Sequence, residues 1–376
     1  MKKVLLTATV QSHICQFHRP LADMLHKHGC EVHVAAKNNL AVKNGLVLDF
    51  ADKVFDVPFS RSPKSLDNIN AYKQLKRIIA EEKYDVIHCN TPMGGIITRL
   101  AARTARKEGT TVIYTAHGFH FYRGAPLQNW LIYYSIEKAM ARMTDVLITI
   151  NQEDYALAKD KMKAKRVEYI PGVGVDIDAF VNAEVDQHRF REMLGLMDDD
   201  FVIATVGELN QNKNQQVIIK AIAKLQEDEI HFLLAGNGPN LEVLQQLADE
   251  LGVSKQVHFL GYRRDIAALY KSSDLCTLTS LREGLPVACI EALSSGIPVI
   301  AAKNRGTSDL ISNGENGFLF EPFDVNAYAD IIRRFRTEGD SLLKYNALER
   351  RNSVRKYDQQ YAKSILEKIY LDNMLL

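Results

Sequence analysis

Short apolar runs alternate along this chain with longer stretches in which apolar residues recur every three or four positions. In the first half the short runs are Val4–Val10, Glu31–Ala36, Val86–Cys89, Val112–Thr115 and Val146–Ile150. They are rich in β-branched residues and apolar at successive positions, the pattern of strands buried on both faces. Between them, about Ile14–His28, Ile69–Glu82, Gly94–Lys107 and Pro126–Met143 read as helices. The pattern then restarts with strand-like runs at Phe201–Val206, Ile230–Leu234, Val257–Leu260, Leu275–Thr279 and Val299–Ala301, separated by helices such as Gln215–Gln226, Asn240–Leu251 and Pro286–Ser295. Strands alternating with helices predict βαβ units and parallel sheets. The Pro/Gly-rich stretch Ile170–Asp176 between the two sets suits a hinge. The expected fold class is therefore α/β, with two Rossmann-like domains in tandem. Open sheets of this kind bind ligands at the carboxyl ends of their strands, which predicts a cleft site facing both domains.

Composition narrows the class. At 376 residues, 46% hydrophobic and 25% charged, the chain is long enough for two cores and ordinary for a globular protein. Met1-Lys2-Lys3 followed by Val4–Val10 looks at first like a signal peptide, but Gln11-Ser12-His13 ends the apolar run too early, and a first buried strand fits better. Cys15, Cys30, Cys89, Cys276 and Cys289 are odd in number, scattered, and without C-x-x-C spacing. They predict neither a zinc site nor a disulfide framework, and a reducing cytoplasm. The formal net charge of +1 hides a division: residues 1–170 hold 25 Lys+Arg against 16 Asp+Glu, and residues 171–376 hold 22 against 30. A first half at +9 and a second at −8 predict that the first half meets an anionic surface or ligand. No nucleic-acid module is recognisable.

The densest chemistry lies in Glu283-Gly284-Leu285-Pro286-Val287-Ala288-Cys289-Ile290-Glu291, which follows a strand-like run and opens a helix. A strand, a Gly-containing turn and a helix N-terminus present several N–H groups in one direction, an anion site suited to phosphate. Eight helical residues rotate by about 80° beyond two turns, so Glu291 is expected on nearly the same face as Glu283. Carboxylates on either side of a diphosphate suit a ligand with sugar hydroxyls at both ends, a nucleotide sugar.

Ser280–Pro286, then Glu291-Ala292-Leu293, Gly296-Ile297-Pro298-Val299 and Gly314-Glu315-Asn316-Gly317 resemble the signature of the retaining nucleotide-sugar glycosyltransferases of the family 4 type, which include bacterial capsule, lipopolysaccharide and sucrose-type enzymes. The resemblance implies the GT-B architecture: an acceptor-binding domain over 1–170, a donor-binding domain over 171–357, and a last helix (about Asp358–Met374, within 358–376) crossing back to the first domain. It implies donor binding by Gly207, Lys213, Asn237, Tyr262, Arg263, Gly284, Leu285, Pro286, Val287 and Glu291, with Glu291 on the ribose. His117 and Glu283 take the catalytic positions beside the donor sugar, with Glu283 as a covalent nucleophile left open. His13, Phe17, Phe119, Tyr122 and Arg123 are expected on the acceptor side.

Two departures from the family pattern stand out. Glu208 replaces an arginine that binds the diphosphate, so Arg263, Arg264 or Arg305 would have to substitute, or Lys213 and the helix N-terminus must suffice. Thr9–Phe17 replaces a Gly-Gly pair in the first β-α loop. With no Asp-x-Asp pair at a strand end, no metal or other cofactor is expected; Asp198–Asp200 reads as a solvated loop. The expected activity is transfer of a hexose or N-acetylhexosamine from a UDP-sugar to a polyprenyl-diphosphate-linked saccharide, at an anionic membrane surface on the inner face of the plasma membrane. The aromatic-basic clusters Phe119–Arg123 and Trp130–Tyr134 suit that interface. The rivals are an epimerase or hydrolase on the same fold and a non-catalytic nucleotide-sugar-binding subunit.

Overall fold

The computed structural model describes residues 1–42, 45–172 and 174–372. The chain divides into two compact units, Met1–Gly174 with Gln360–Leu376, and Val175–Gln359.

The first unit holds a seven-stranded parallel sheet of β1 (Lys3–Val10), β2 (Glu31–Lys37), β3 (Lys53–Asp56), β4 (Val86–Asn90), β5 (Thr111–Ala116), β6 (Val146–Thr149) and β7 (Arg166–Tyr169). Their order is β3-β2-β1-β4-β5-β6-β7. The second unit holds β8 (Phe201–Val206), β9 (Ile230–Ala235), β10 (Val257–Gly261), β11 (Leu275–Leu278), β12 (Val299–Ala302) and β13 (Gly317–Phe320), in the order β10-β9-β8-β11-β12-β13. Both are doubly wound sheets whose order reverses once, between β1 and β4 and between β8 and β11. Burial explains why. All five residues of β4 and all four of β6, β11 and β12 are buried, so helices must cover both faces. In the second unit Ile218, Ile222 and Phe232 fill one face and Val202, Leu233 and Leu293 the other, all fully buried. Each such side chain contributes roughly 1.5–3 kcal/mol by leaving water.

Three strands were not legible in the apolar pattern, namely β3, β7 and β13, and each lies at a sheet edge. An edge strand has one open side and tolerates residues such as Lys53, Asp56, Arg166 and Glu168. The expected helix Ile14–His28 is two helices, Gln11–Phe17 and Arg19–Lys27, broken at His18. Pro20 has no N–H to continue the helical ladder through that point. Gly94–Lys107 likewise resolves into Pro92–Ala101 and Arg103–Lys107, and Pro126–Met143 into Leu127–Asn129, a π-turn at Trp130–Tyr134, and Ser135–Ala141.

The last helix, Gln359–Asp372, packs on the first unit: Tyr370 is fully buried with its hydroxyl 2.9 Å from His88 Nδ1, and Glu367 meets His28 at 2.6 Å. Its expected end at Met374 lies outside the described residues, as does Val173 in the expected hinge, where Gly172 and Gly174 flank it with φ of 75° and 82°.

Candidate functional site

In the second unit the switch point lies between β8 and β11, and their following loops are stitched together. Leu281 N–H donates to Asn212 O at 2.8 Å, Thr279 Oγ1 to Lys213 O at 2.8 Å, and Asn212 Nδ2 to Arg282 O at 3.1 Å. Across this seam Lys213 Nζ meets Glu283 Oε1 at 2.6 Å. A third loop, after β12, fixes Glu283 from behind. Asn304 Nδ2 donates to Ser280 O at 2.9 Å and Arg305 Nε to Glu283 O at 3.3 Å. Gly306 sits so close that a Cβ there would come within 2.8 Å of Gly284 O.

The helix Val287–Ser295 starts at once, with Pro286 as its N-cap and no side chain capping it. Among the described hydrogen bonds none uses the N–H of Gly284, Leu285, Val287 or Ala288. These amides and the positive end of the helix dipole sit beside the Lys213–Glu283 pair. Leu285 and Val287 rest their side chains against the core, which fixes the turn.

Glu291 stands on this helix, mostly buried, and burial raises its carboxyl to about 7. No side-chain partner for it occurs among the described residues, so its proton is held by desolvation rather than by a bond. Glu283 precedes the helix, contrary to the reckoning that put both glutamates on one helical face; the three loops, not helical periodicity, aim it.

The loops expected to carry the nucleotide pack on one another. Gly236 N–H donates to Gly261 O at 2.7 Å and Leu209 N–H to Asn237 O at 3.0 Å. A Cβ at Gly236 would lie 1.9 Å from Gly207 O, and one at Gly238 would lie 2.2 Å from Leu209 O. These glycines are thus required by the chain's own loops, with no ligand invoked. Asn237 and Tyr262 are exposed.

Arg263 is not a spare cation: it pairs with Asp265 and lies over the Phe190 ring at 5.4 Å. Arg305 is buried against Glu283, and Arg264 is exposed. Lys213 Nζ is paired with Glu283, while Glu208 is exposed and accepts from Asn210 Nδ2 at 3.0 Å. Its charge is in solvent, so the arginine-to-glutamate departure costs the site a cation without placing an anion on Lys213. Asp200, expected in a solvated loop, is buried, accepting from Met197 N–H at 2.7 Å and lying 3.3 Å from His231 Nε2.

In the first unit the switch point is β1/β4. Thr91, at the end of β4, holds φ 63° and ψ 150°, a strained backbone for a β-branched residue. Thr9 N–H donates to its hydroxyl at 3.0 Å. Asn90 Oδ1 lies 3.2 Å from His117 Nε2. His117 follows β5, and the rings of His13 and Phe17 pack 4.8 and 6.4 Å from it. Burial pushes His117 down to about 3 and His18 to about 4, and with the neighbouring rings lowers His13 as well, so all three stay neutral.

Phe119 is corrected: it is 3% exposed and stacks on Phe121 at 4.7 Å, a core residue rather than an acceptor platform. Tyr122 is half-buried and Arg123 exposed, its N–H on Glu153 Oε1 at 2.6 Å. His18, Asn90 and Thr91 were missed. Pro20 was the available signal for His18, since it forces the helix break there.

The family description "Glycosyl transferases group 1" matches residues 186–359, and "Glycosyl transferase 4-like" matches 3–151. EpsD of Bacillus subtilis (strain 168), itself only provisionally described as a glycosyltransferase, is 41% identical over 358 residues, 94% of this chain and 92% of that one. The UDP-Gal:alpha-D-GlcNAc-diphosphoundecaprenol alpha-1,3-galactosyltransferase of Escherichia coli is 29% identical over 328 residues, 84% of each chain. Among solved structures, HepE of Anabaena in complex with UDP and glucose superimposes with a TM-score of 0.79 over 99% of this chain and 100% of its own, at 22% identity. Sucrose-phosphate synthase of Thermosynechococcus elongatus gives 0.79 at 18%, over 100% and 99%. The chain belongs to this family: it is a glycosyltransferase of the GT-B type, built from a 4-like and a group 1 domain.

Proposed function

We propose that this protein moves a hexose or N-acetylhexosamine from a UDP-sugar to a hydroxyl of a polyprenyl-diphosphate-linked saccharide, with retention and without a metal on the diphosphate, in bacterial surface polysaccharide assembly. The carrying observation is the 2.6 Å Lys213–Glu283 contact at the β8/β11 switch point, beside an uncapped helix N-terminus. Resting, the two charges hold each other. A diphosphate entering on the amides of Gly284–Ala288 draws Lys213 to itself and frees Glu283 to accept sugar hydroxyls. The bond from the anomeric carbon to the β-phosphate oxygen then breaks, and negative charge grows where Lys213 and the helix N-terminus offset it. The acceptor oxygen bonds the same carbon from the same face, and its proton passes to the departing phosphate. Glu291, ionised, takes the ribose hydroxyls, and His117 orients the donor sugar.

The printed activity of the Escherichia coli relative supports a UDP-sugar donor and a lipid-linked acceptor. Charge and exposure support docking on the anionic leaflet at the inner face of the membrane. Arg103, Lys107, Arg123 and Arg142 are exposed, as are the apolar Leu127, Leu131 and Ile132, whereas Arg106 is committed to Asp145 at 2.9 Å. Among the described residues no helix is long and apolar enough to cross a membrane. A thermal-shift panel tests the donor. UDP and at least one UDP-sugar should raise Tm by mass action while GDP does not; no response to any uridine nucleotide contradicts the reading.

A further inference from the structure

Three histidines converge at the β1/β4 end of the first unit: His13, His18 and His117, each offering a ring nitrogen within 4.8 Å of the others. The convergence is built by the helix break. In a continuous helix residues five apart differ by about 140° and face different ways. The chain leaves helical geometry at His18, with φ −117° and ψ 1°, and so turns His18 back towards His13. His117 arrives from β5 and is held by Asn90.

Two of the nitrogens are orphans. His13 Nε2 and His18 Nδ1 are buried without a hydrogen-bond partner of normal geometry, with the Asn90 side chain and the His13 backbone beside the His18 ring, and His18 as a whole is 5% exposed. A buried polar atom left unpaired costs roughly 1–3 kcal/mol, and two of them in one cluster call for a ligand. Other histidines of this unit show the contrast: His88 and His33 use both ring nitrogens, on Tyr370 and Thr115 and on Tyr84 and Glu31.

We propose that His13, His18 and His117 form a binding site for a zinc-class divalent cation. The donor set decides the class. Three imidazoles with no carboxylate suit Zn²⁺, Co²⁺ or Cu²⁺ rather than Mg²⁺ or Ca²⁺, which take oxygen. Each ring places a lone pair on the inward nitrogen by choice of tautomer. Zn–N bonds of about 2.0–2.1 Å require nitrogens about 3.3 Å apart in a tetrahedron, so the rings close inward by on the order of 1 Å. The fourth position is left for water or a substrate oxygen. This cation is separate from the diphosphate chemistry of the second unit. The cation takes His117, so while bound it withholds that ring from any substrate.

The test uses the full chain, free of nucleotide, so its outcome is independent of the transfer reading. Co²⁺ is titrated while visible absorption is recorded, and Zn²⁺ is then added in competition. One Co²⁺ per chain with the intense absorption of a four-coordinate ion, displaced by Zn²⁺, is expected. His13→Gln and His18→Gln should each weaken Zn²⁺ binding at least tenfold, and the exposed His188→Gln should not change it. Circular dichroism checks that the variants fold; should His18→Gln unfold, the half-buried His13→Gln carries the comparison. Weak six-coordinate absorption, or Zn²⁺ affinity unchanged by His13→Gln, overturns the site. So does loss of binding in His231→Gln, which would place the ion at the His231–His258 pair.

Discussion

Lys213 Nζ and Glu283 Oε1 lie 2.6 Å apart, one in the loop after each strand flanking the switch point of the second unit. Both side chains are largely out of water, so the contact is worth about 1.5–3 kcal/mol as a charge-assisted hydrogen bond. On the proposed reading a diphosphate replaces Glu283 as the partner of Lys213, which makes the carboxylate a competitor of the nucleotide as well as a receiver of the sugar.

That competition gives opposite signs for two substitutions. Lys213→Ala removes the phosphate partner and leaves Glu283 bare beside an anion, so UDP affinity should fall about tenfold to a hundredfold. Glu283→Gln removes the competitor, so UDP should bind as tightly as before or several-fold more tightly while turnover collapses. Calorimetry with UDP and a steady-state assay read the two quantities. Parallel losses of UDP affinity in both variants would refute the division of roles.

Glu291 predicts a pH dependence. Burial raises its carboxyl to about 7, and on the proposed reading ribose hydroxyls donate to the ionised form. UDP binding should therefore strengthen with rising pH, by up to about tenfold per unit below 7, and level off above it. Glu291→Gln should bind more weakly and lose this slope, and it serves as the reference for the titration of UDP itself. The same shift has a stability consequence. A folded-state value above the ordinary 4.5 means that ionisation opposes folding, so the stabilising effect of the protonated form is full below about 4.5 and lost as pH rises through 7. Allowing for partial exposure, Glu291→Gln should be more stable than the parent at pH 8 by about 2 kcal/mol, and equal to it at pH 4, by urea unfolding.

Gly236 tests the account of the nucleotide loops. Its φ of 151° and the 1.9 Å approach to Gly207 O leave no room for a methyl group. Gly236→Ala should cost about 2–3 kcal/mol through strain and a forced shift of the Gly207 loop. An unchanged Tm would show that the loops are looser than described.

What could be read from the residues follows from burial. Central strands such as Val86–Asn90 announce themselves because every position is enclosed and Val86, Ile87 and Cys89 are apolar; Lys53–Asp56 and Arg166–Tyr169 do not, because one edge is open to water. In the site, Glu283, Gly284 and Glu291 were legible as one motif of fixed spacing, and Lys213 in another that follows the first strand of the second unit. The Lys213–Glu283 contact was not, since the residues are 70 positions apart and joined by sheet order. The burial of Phe119 and the turn at His18 were equally hidden, because each depends on packing between distant segments.

The charge division predicts membrane behaviour. With exposed Arg103, Lys107, Arg123 and Arg142, the protein should float with anionic vesicles at low salt and leave them as salt rises, each cation contributing about 1 kcal/mol near the surface. Replacing Leu131 and Ile132 by serine should weaken the residual, salt-resistant part. Failure to bind anionic vesicles at low salt would favour a soluble acceptor.

The central claim is transfer from a uridine-linked donor to a lipid-linked sugar. Purified protein is incubated with a panel of UDP-sugars and a polyprenyl-diphosphate-linked N-acetylglucosamine, with EDTA present, and the lipid product is read by mass and by the coupling constant of its new anomeric proton. The account predicts addition of one sugar, α-configured from an α-linked donor, with activity kept in EDTA and lost in Glu283→Gln. A β-linked product, restoration of an EDTA-abolished activity by Mn²⁺, or full consumption of the UDP-sugar in the absence of acceptor would contradict it.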